Sequence, residues 1–210
     1  MEKSVRTVYA PWESEKVIEK SRFITYAEHV ESEEEARAFI AKIRAKHSLA
    51  THVCYAFVAD KAGNLQRFSD DGEPQGTAGV PMLEVLKSKK LCETAVAVVR
   101  YFGGIKLGAG GLVRAYSSAV AENLENADIR VLETCVEYAV SVEYAGIDGA
   151  QKYFSAHACS LLDSTYGADV CFRIAVKKTE ETDFIAGLVD FMQGKVKTER
   201  GLEYYAPFKE

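Results

Sequence analysis

The sequence predicts an α+β protein of two domains, and three observations support this prediction. The chain has 210 residues, which is long enough for two small domains. Short β-branched runs alternate with segments of helical periodicity along its length. The pattern of these segments changes near residues 130–137, where no linker or low-complexity tract intervenes. We therefore predict a first domain at residues 1–135 and a second at residues 136–210.

The elements of the first domain follow from periodicity and from helix-start signals. Ser32 and Glu35 have the spacing of a capping box, in which the glutamate returns a hydrogen bond to the Ser32 N–H. Pro81 is tolerated only in the first turn of a helix, so a helix is predicted from about Val80 to Lys87. Strands are predicted at 21–28, 51–58, 64–68 and 92–101, and further helices after Ser32 and at 112–124.

The second domain has a simple order of elements. Apolar residues at helical spacing mark one helix at Ile147, Ala150 and Phe154, and another from Phe184 to Phe191. Strands are predicted at 137–144, 160–165, 170–176 and 196–205. The resulting βαββαβ order is that of a ferredoxin-like domain.

Composition excludes several classes of protein. A net charge of −5, with the acidic excess mostly in residues 136–210, argues against indiscriminate nucleic-acid binding, so any polyanion contact is expected on the first domain. No apolar run approaches the ~20 residues that span a bilayer, and the N-terminus lacks a hydrophobic signal core. The five scattered cysteines include no C-x-x-C pair and suggest free thiols. We therefore expect a cytoplasmic protein with no membrane partner.

The most informative segment is a glycine-rich loop between a predicted strand and a predicted helix. It runs from Arg100 to Arg114 and contains Lys106 together with five glycines: Gly103, Gly104, Gly108, Gly110 and Gly111. Glycine lets backbone N–H groups approach a ligand closely, and the free N–H groups of a helix N-terminus favour negative charge. These residues are therefore predicted to bind an anion or nucleic acid.

The glycine loop matches neither standard nucleotide motif. Ala109 and Gly110 stand where a P-loop needs lysine and serine or threonine, and Val113 occupies the last glycine position of a dinucleotide fingerprint. The glycines have a second interpretation, in which they only permit close packing of strand and helix. Arg100 and Arg114 likewise either serve the site or pair structurally with the acidic segment that contains Asp70.

Two other groups of residues have chemical and structural interpretations. Asp70, Asp71 and Glu73 offer the carboxylates that Mg²⁺ prefers, but Asp-Asp-Gly-Glu-Pro is also typical turn chemistry, which we favour. His52 and Cys54 share one face of a predicted strand and suggest a thiol–imidazole pair. Such i, i+2 placement rarely makes a catalytic dyad unless another group orients the base, so we favour packing.

Three segments of the first domain resemble a known family: Ala50–Ala56, Ser69–Gly79 and Arg100–Tyr116. The last two are long and have the order and spacing of the motifs of the IMPACT/YigZ family, whose bacterial members pair an IMPACT domain with a small C-terminal domain. The resemblance implies a first domain like the second domain of ribosomal protein S5. It also implies a ferredoxin-like second domain similar to a domain of elongation factor G.

The resemblance also implies a link to translation, since eukaryotic relatives regulate translation by binding a partner of a stress-responsive kinase. We favour a binding or regulatory module without a cofactor over an enzyme, and its partner is predicted to be RNA, the ribosome or a translation-related protein. Its surface would be the glycine loop with Arg100, Lys106 and Arg114. The alternative is an enzyme that holds a phosphorylated substrate at this loop, with Mg²⁺ on the Asp70–Glu73 carboxylates.

Overall fold

The computed structural model describes residues 4–207 and confirms a mixed α+β architecture. The chain divides into two compact units, one at Val5–Val131 and one made mostly of the residues from Leu132 onward. This division falls slightly before the predicted boundary at 135/136. A single strand, Ile129–Val142, runs across both positions, so the chain passes between the units without a linker.

The first unit is built on a five-stranded antiparallel sheet. Its strand order is β2-β3-β6-β4-β5. The elements are β1 (Val5–Val8), β2 (Trp12–Ile18), β3 (Ser21–His29), α1 (Glu33–Lys46), β4 (His52–Val58), β5 (Gln66–Ser69), α2 (Gly79–Ser88), β6 (Thr94–Tyr101) and α3 (Gly108–Asn126). Strands β1 and β2 were not predicted from the sequence. Charged and exposed residues dominate β2, so it lacks the apolar alternation that identifies a strand.

The two faces of this sheet carry separate apolar cores. Along β6, Val96 and Val98 point to the face covered by α2 and α3, whereas Ala97 and Val99 point to the face covered by α1. This alternation follows from the two-residue period of a strand. The buried residues of α1 are the four that share one face by sequence, Ala36, Phe39, Ile40 and Ile43.

Two helix starts differ in detail from prediction. Half of the capping box forms: the Glu35 N–H donates to Ser32 Oγ at 3.2 Å, but Glu35 Oε2 accepts from the Glu31 N–H and not from that of Ser32. Helix α3 begins at Gly108, well before the predicted Leu112. The first turn of α3 is rich in glycine, and hydrophobic periodicity cannot detect residues that have no apolar side chain.

The second unit has the predicted βαββαβ order. Its elements are β7 (Ile129–Val142), α4 (Ile147–Ala156), β8 (Cys159–Tyr166), β9 (Val170–Lys177), α5 (Glu181–Phe191) and β10 (Lys197–Pro207). The strands pair antiparallel in the order β10-β7-β9-β8. Phe154 of α4 and Leu188 of α5 pack into one core with Val140 and Phe172 of the central strands. Within residues 4–207, no helix is long and apolar enough to cross a membrane.

Candidate anion-binding site

The glycine loop lies at the end of the first sheet where β6 ends and β3 and β4 begin. Arg100, near the end of β6, is paired with Phe23 on β3 and with His52 on β4. The acidic segment that follows β5 reaches the same end, because Glu73 contacts Arg100 there. The acidic segment and the glycine loop therefore approach each other at one end of the sheet.

The base of the glycine loop is fixed to the turn between β2 and β3. A Cβ added at Gly103 would fall well inside the van der Waals distance of the Lys20 carbonyl, so the close backbone approach requires glycine. The Gly103 N–H also donates to Ser21 Oγ at 3.2 Å, and the Phe102 N–H donates to Thr51 Oγ1 at 3.1 Å. Gly103 therefore serves close packing of the backbone, which is the second interpretation that the sequence allows for the glycines.

The distal part of the loop is exposed and opens directly into α3. Gly104 and Gly108 have φ values of +86° and +68°, which favour glycine. Among the residues that the structure describes, no side chain caps the N-terminus of α3, and Gly108, Ala109 and Gly110 are exposed. The free N–H groups of the first turn therefore face solvent, where they favour an anion.

The N-terminus of α2 is different, because Asp70 already supplies its negative charge. The Asp70 carboxylate accepts hydrogen bonds from the N–H groups of Gly76 at 2.8 Å, Ala78 at 3.0 Å and Gly79 at 2.8 Å. Burial raises the pKa of Asp70, but these three N–H bonds outweigh it and the pKa is lowered. The segment before α2 is thus satisfied internally, and the uncapped α3 is the better anion site.

Three cations lie beside the uncapped helix, and one of them is paired. The residues that line a groove of about 550 Å³ between β2 and α3 include Lys16, Glu19, Lys106 and Arg114. Lys16 pairs with Glu122 of α3. Among the described residues, no hydrogen-bond or ion-pair partner meets the side chains of Lys106 and Arg114, so both remain available to a ligand.

Arg100 does not belong to this surface. Its residue is 4% exposed, and its guanidinium donates to Glu73 Oε1 at 2.6 Å and to Ser21 Oγ at 3.3 Å. The aromatic rings of Phe23 and Phe102 lie 5.5 Å from the guanidinium carbon. The prediction that Arg100 contacts an external anion therefore needs correction, since the group is enclosed and neutralised by Glu73.

The predicted acidic group also has internal partners. Glu73 accepts from Arg100 and from the Tyr116 hydroxyl, and Asp70 caps α2. Asp71 accepts from the Val53 N–H at 2.7 Å and from Arg44 of α1 at 2.6 Å. These bonds favour the turn interpretation over Mg²⁺ binding, and no three-ligand cluster in the described part of the chain includes these acids.

The idea that Asp71 and Lys106 form one site is wrong. Asp71 is tied to Arg44 of α1, which covers one face of the sheet. Lys106 lines the groove beside α3, which covers the other face. The acidic segment and the glycine loop are instead joined by the buried Glu73–Arg100 pair.

His52 and Cys54 do not form a nucleophile–base pair. The Cys54 thiol donates to the Asp70 carbonyl at 3.0 Å and lies 3.4 Å from the Tyr116 hydroxyl. His52 Nδ1 instead contacts the Asp71 carbonyl at 2.8 Å. Burial raises the pKa of the Cys54 thiol to about 12, so the thiol stays protonated at neutral pH.

We expect Cys54 to react with iodoacetamide far more slowly in the folded protein than in denaturant, because both burial and the raised pKa suppress the thiolate. Mass spectrometry of peptides after timed alkylation measures this for each cysteine. Cys171, which is partly exposed, is the internal control. Folded-state labelling of Cys54 that equals that of Cys171 would contradict the packing interpretation.

Sequence reasoning missed three residues of this region. Tyr116 lies within the recognised motif, but only the structure shows its hydroxyl donating to Glu73 at 2.8 Å. Lys16 and Glu19 come from a strand and turn that were not predicted. Nothing in their local sequence indicates that they approach α3, which lies some hundred residues further along the chain.

Comparisons with known proteins agree with this architecture. The family model described as the Impact N-terminal domain matches residues 19–124, and a domain of unknown function, DUF1949, matches residues 140–195. The chain therefore combines an IMPACT-type domain with a small second domain. It belongs to the IMPACT family.

Individual relatives extend over nearly the whole chain. The IMPACT family member YvyE of Bacillus subtilis is 40% identical over 93% of this chain and 90% of its own length. The IMPACT family member YigZ of Escherichia coli is 40% identical over 86% of this chain and 89% of its own. A crystal structure of a hypothetical protein, 38% identical, superposes with a TM-score of 0.62 and covers 94% of this chain and 97% of that one.

Proposed function

We propose that this protein is a cytoplasmic, translation-linked binding module that contacts RNA phosphate through the loop 103–111 and the start of α3. The observation that supports this most directly is the uncapped N-terminus of α3 beside the unpaired Lys106 and Arg114. Backbone N–H groups and cations together form the kind of contact that positions a phosphate. The link to translation rests on membership of the IMPACT family.

The net charge of this protein favours a local binding site over a broad one. Its net charge of −5 disfavours broad contact with a polyanion, so binding has to rely on a few phosphates held at one place. The groove beside α3 supplies two free cations within a short segment. The alternative of a Mg²⁺-dependent enzyme loses support, because Asp70, Asp71 and Glu73 all bind other groups of the protein.

Lys106→Ala combined with Arg114→Ala is expected to weaken binding of single-stranded RNA, because both free cations of the groove are removed. Each lost phosphate contact should also flatten the slope of log K against log salt by about 0.7. Stability should change by no more than ~0.5 kcal/mol for each exposed substitution. Fluorescence anisotropy with a labelled oligonucleotide at several salt concentrations measures both effects.

Lys87→Ala is the matched control, since Lys87 is an exposed lysine on α2 that already pairs with Glu84 at 2.8 Å. It removes one positive charge from the domain, as each of the two groove substitutions does, but none from the groove, and RNA affinity should stay close to that of the wild type. If Lys87→Ala lost as much RNA affinity as the Lys106 and Arg114 double variant, binding would depend on the overall charge of the domain and not on the groove. Unchanged binding in the Lys106 and Arg114 double variant would refute the proposed site.

A further inference from the structure

The glycine loop contains an aromatic residue that the phosphate contact does not use. Phe102 directly follows β6 and is 47% exposed, although its neighbours Arg100 and Gly103 are packed against the rest of the domain. Two further large apolar residues of the same segment, Ile105 and Val113, are each 37% exposed. A single exposed apolar residue is ordinary, but three of them here accompany free cations. Such a surface suits a ligand that has an apolar part as well as a negative charge.

The Phe102 ring is held in place from within the protein. The Phe102 N–H donates to Thr51 Oγ1 at 3.1 Å, and the Arg100 guanidinium carbon lies over the ring at 5.5 Å from its centroid. That guanidinium is itself fixed by its hydrogen bonds to Glu73 and Ser21. An aromatic side chain whose position is set before binding loses little conformational freedom when a ligand stacks on it.

Phe102 is also close enough to the cations to contact the same ligand. Lys106 is four residues further along the chain, so the two Cα atoms are at most about 14 Å apart. Ile105 and Lys106 both line the groove that Arg114 lines from α3. The residues of one nucleic-acid strand are spaced ~3.4 Å apart along a helix axis, so about four nucleotides or fewer cover this distance.

We propose that Phe102 is a stacking platform for an unpaired base, so that the ligand of the glycine loop is single-stranded and not duplex RNA. This inference rests on the proposed phosphate contact at Lys106 and Arg114. A duplex keeps its bases stacked inside the helix, whereas the bases of a single strand can stack on an aromatic side chain. Every base has a π-face, so this contact does not depend on a particular sequence.

Fluorescence anisotropy with Phe102→Leu tests the stacking contact. We expect about tenfold weaker binding of a short single-stranded RNA, because leucine keeps apolar volume but offers no flat ring. The slope of log K against log salt should stay unchanged, since no phosphate contact is lost. Phe102→Tyr, which keeps a ring, should bind like the wild type. An abasic oligonucleotide of the same length should bind equally to the wild type and to Phe102→Leu.

A direct readout uses the fluorescence of an indole placed at this position. The chain has one tryptophan, Trp12, which begins β2 and is paired with Ala27 of β3. In a Trp12→Phe background, the indole introduced by Phe102→Trp should be quenched by single-stranded RNA but not by the abasic oligonucleotide. Equal quenching by both would mean that no base lies on the ring.

Leu49→Ala is the matched control for the loss of apolar surface. Leu49 is 88% exposed and lies two residues before Thr51, whose hydroxyl holds the Phe102 backbone. Its substitution removes apolar area without removing a ring, so RNA affinity should not change. Equal loss of affinity in Leu49→Ala and Phe102→Leu would indicate a general apolar surface, as a protein partner needs, and would overturn the stacking proposal.

The outcomes separate this inference from the phosphate contact on which it rests. If Phe102→Leu binds single-stranded RNA as the wild type does while the Lys106 and Arg114 double variant does not, the phosphate contact stands and stacking is wrong. Duplex RNA bound as tightly as a single strand would also overturn stacking alone. A wild-type protein that binds neither form of RNA would overturn both proposals.

Discussion

Replacing Glu73 with alanine should lower the free energy of unfolding by about 3–5 kcal/mol, because it leaves a buried charge without its partner. The side chain of Glu73 is 3% exposed and that of Arg100 is 5% exposed, and their charged atoms lie 2.6 Å apart. Glu73 also accepts the Tyr116 hydroxyl at 2.8 Å. Removing Glu73 therefore leaves the Arg100 guanidinium and the Tyr116 hydroxyl without this partner in the core between β6 and α3.

The measurement is denaturant unfolding followed by circular dichroism, with Glu84→Ala as the control. Glu84 is an exposed glutamate on α2 that pairs with Lys87, so its loss should cost no more than ~1 kcal/mol. The pairing itself is tested by the double variant Glu73→Leu with Arg100→Met, which removes both charges. It should be much more stable than Glu73→Ala, because replacing both partners with apolar groups is often neutral.

A Glu73→Ala variant no less stable than Glu84→Ala would mean that Arg100 has another counter-charge or is reached by solvent. Equal destabilisation by Glu73→Ala and by the double variant would instead assign the loss to packing. Either result would reopen the prediction that Arg100 contacts an external ligand. The outcome expected here leaves Lys106 and Arg114 as the unpaired cations of the groove.

Much of the fold could be predicted because hydrophobic periodicity reports which side chains enter a core. The face of α1 and the βαββαβ order of the second unit are read in this way. The same principle explains why some segments were not predicted. Strand β2 has little apolar alternation, and the first turn of α3 has glycines where periodicity needs side chains. Both of the missed segments border the groove of the candidate site.

The site was less predictable because the role of a charged residue depends on its partners in space. Arg100 and Lys106 occur in one motif, yet Arg100 is enclosed against Glu73 and Lys106 is exposed. Asp70 and Asp71 are adjacent in sequence, yet one caps α2 and the other pairs with Arg44. The sequence alone identifies such residues as one group. Contacts with residues far away in the chain then give each of them a different role.

Gly103→Ala is expected to be the most damaging single-methyl change in the glycine loop. The added carbon would collide with the backbone of Lys20 in the β2–β3 turn and of Ser21 at the start of β3, and backbone cannot rotate away as a side chain can. Overpacking of this kind typically costs about 1–3 kcal/mol and occasionally more. The loop can relieve the collision only by moving away from the turn, which would also displace Lys106 from the groove.

Gly110→Ala is the matched control within the same segment. Gly110 has no positive φ, and its added methyl would approach only the flexible end of Arg114 at 4.0 Å. Alanine favours a helix by up to about 1 kcal/mol over glycine, so Gly110→Ala should be as stable as the wild type or slightly more stable. It leaves the N–H groups of α3 in place, and RNA binding should persist.

Stability and RNA affinity measured on both variants separate the two roles of the glycines. Gly103→Ala should lose stability and RNA affinity together, because the position of the loop depends on its contact with the β2–β3 turn. Gly110→Ala should lose neither. If Gly103→Ala is destabilised but binds RNA as tightly as the wild type, the phosphate contact does not depend on where the loop is held. The anion would then be bound by the first turn of α3 and Arg114, and Lys106 would contribute little.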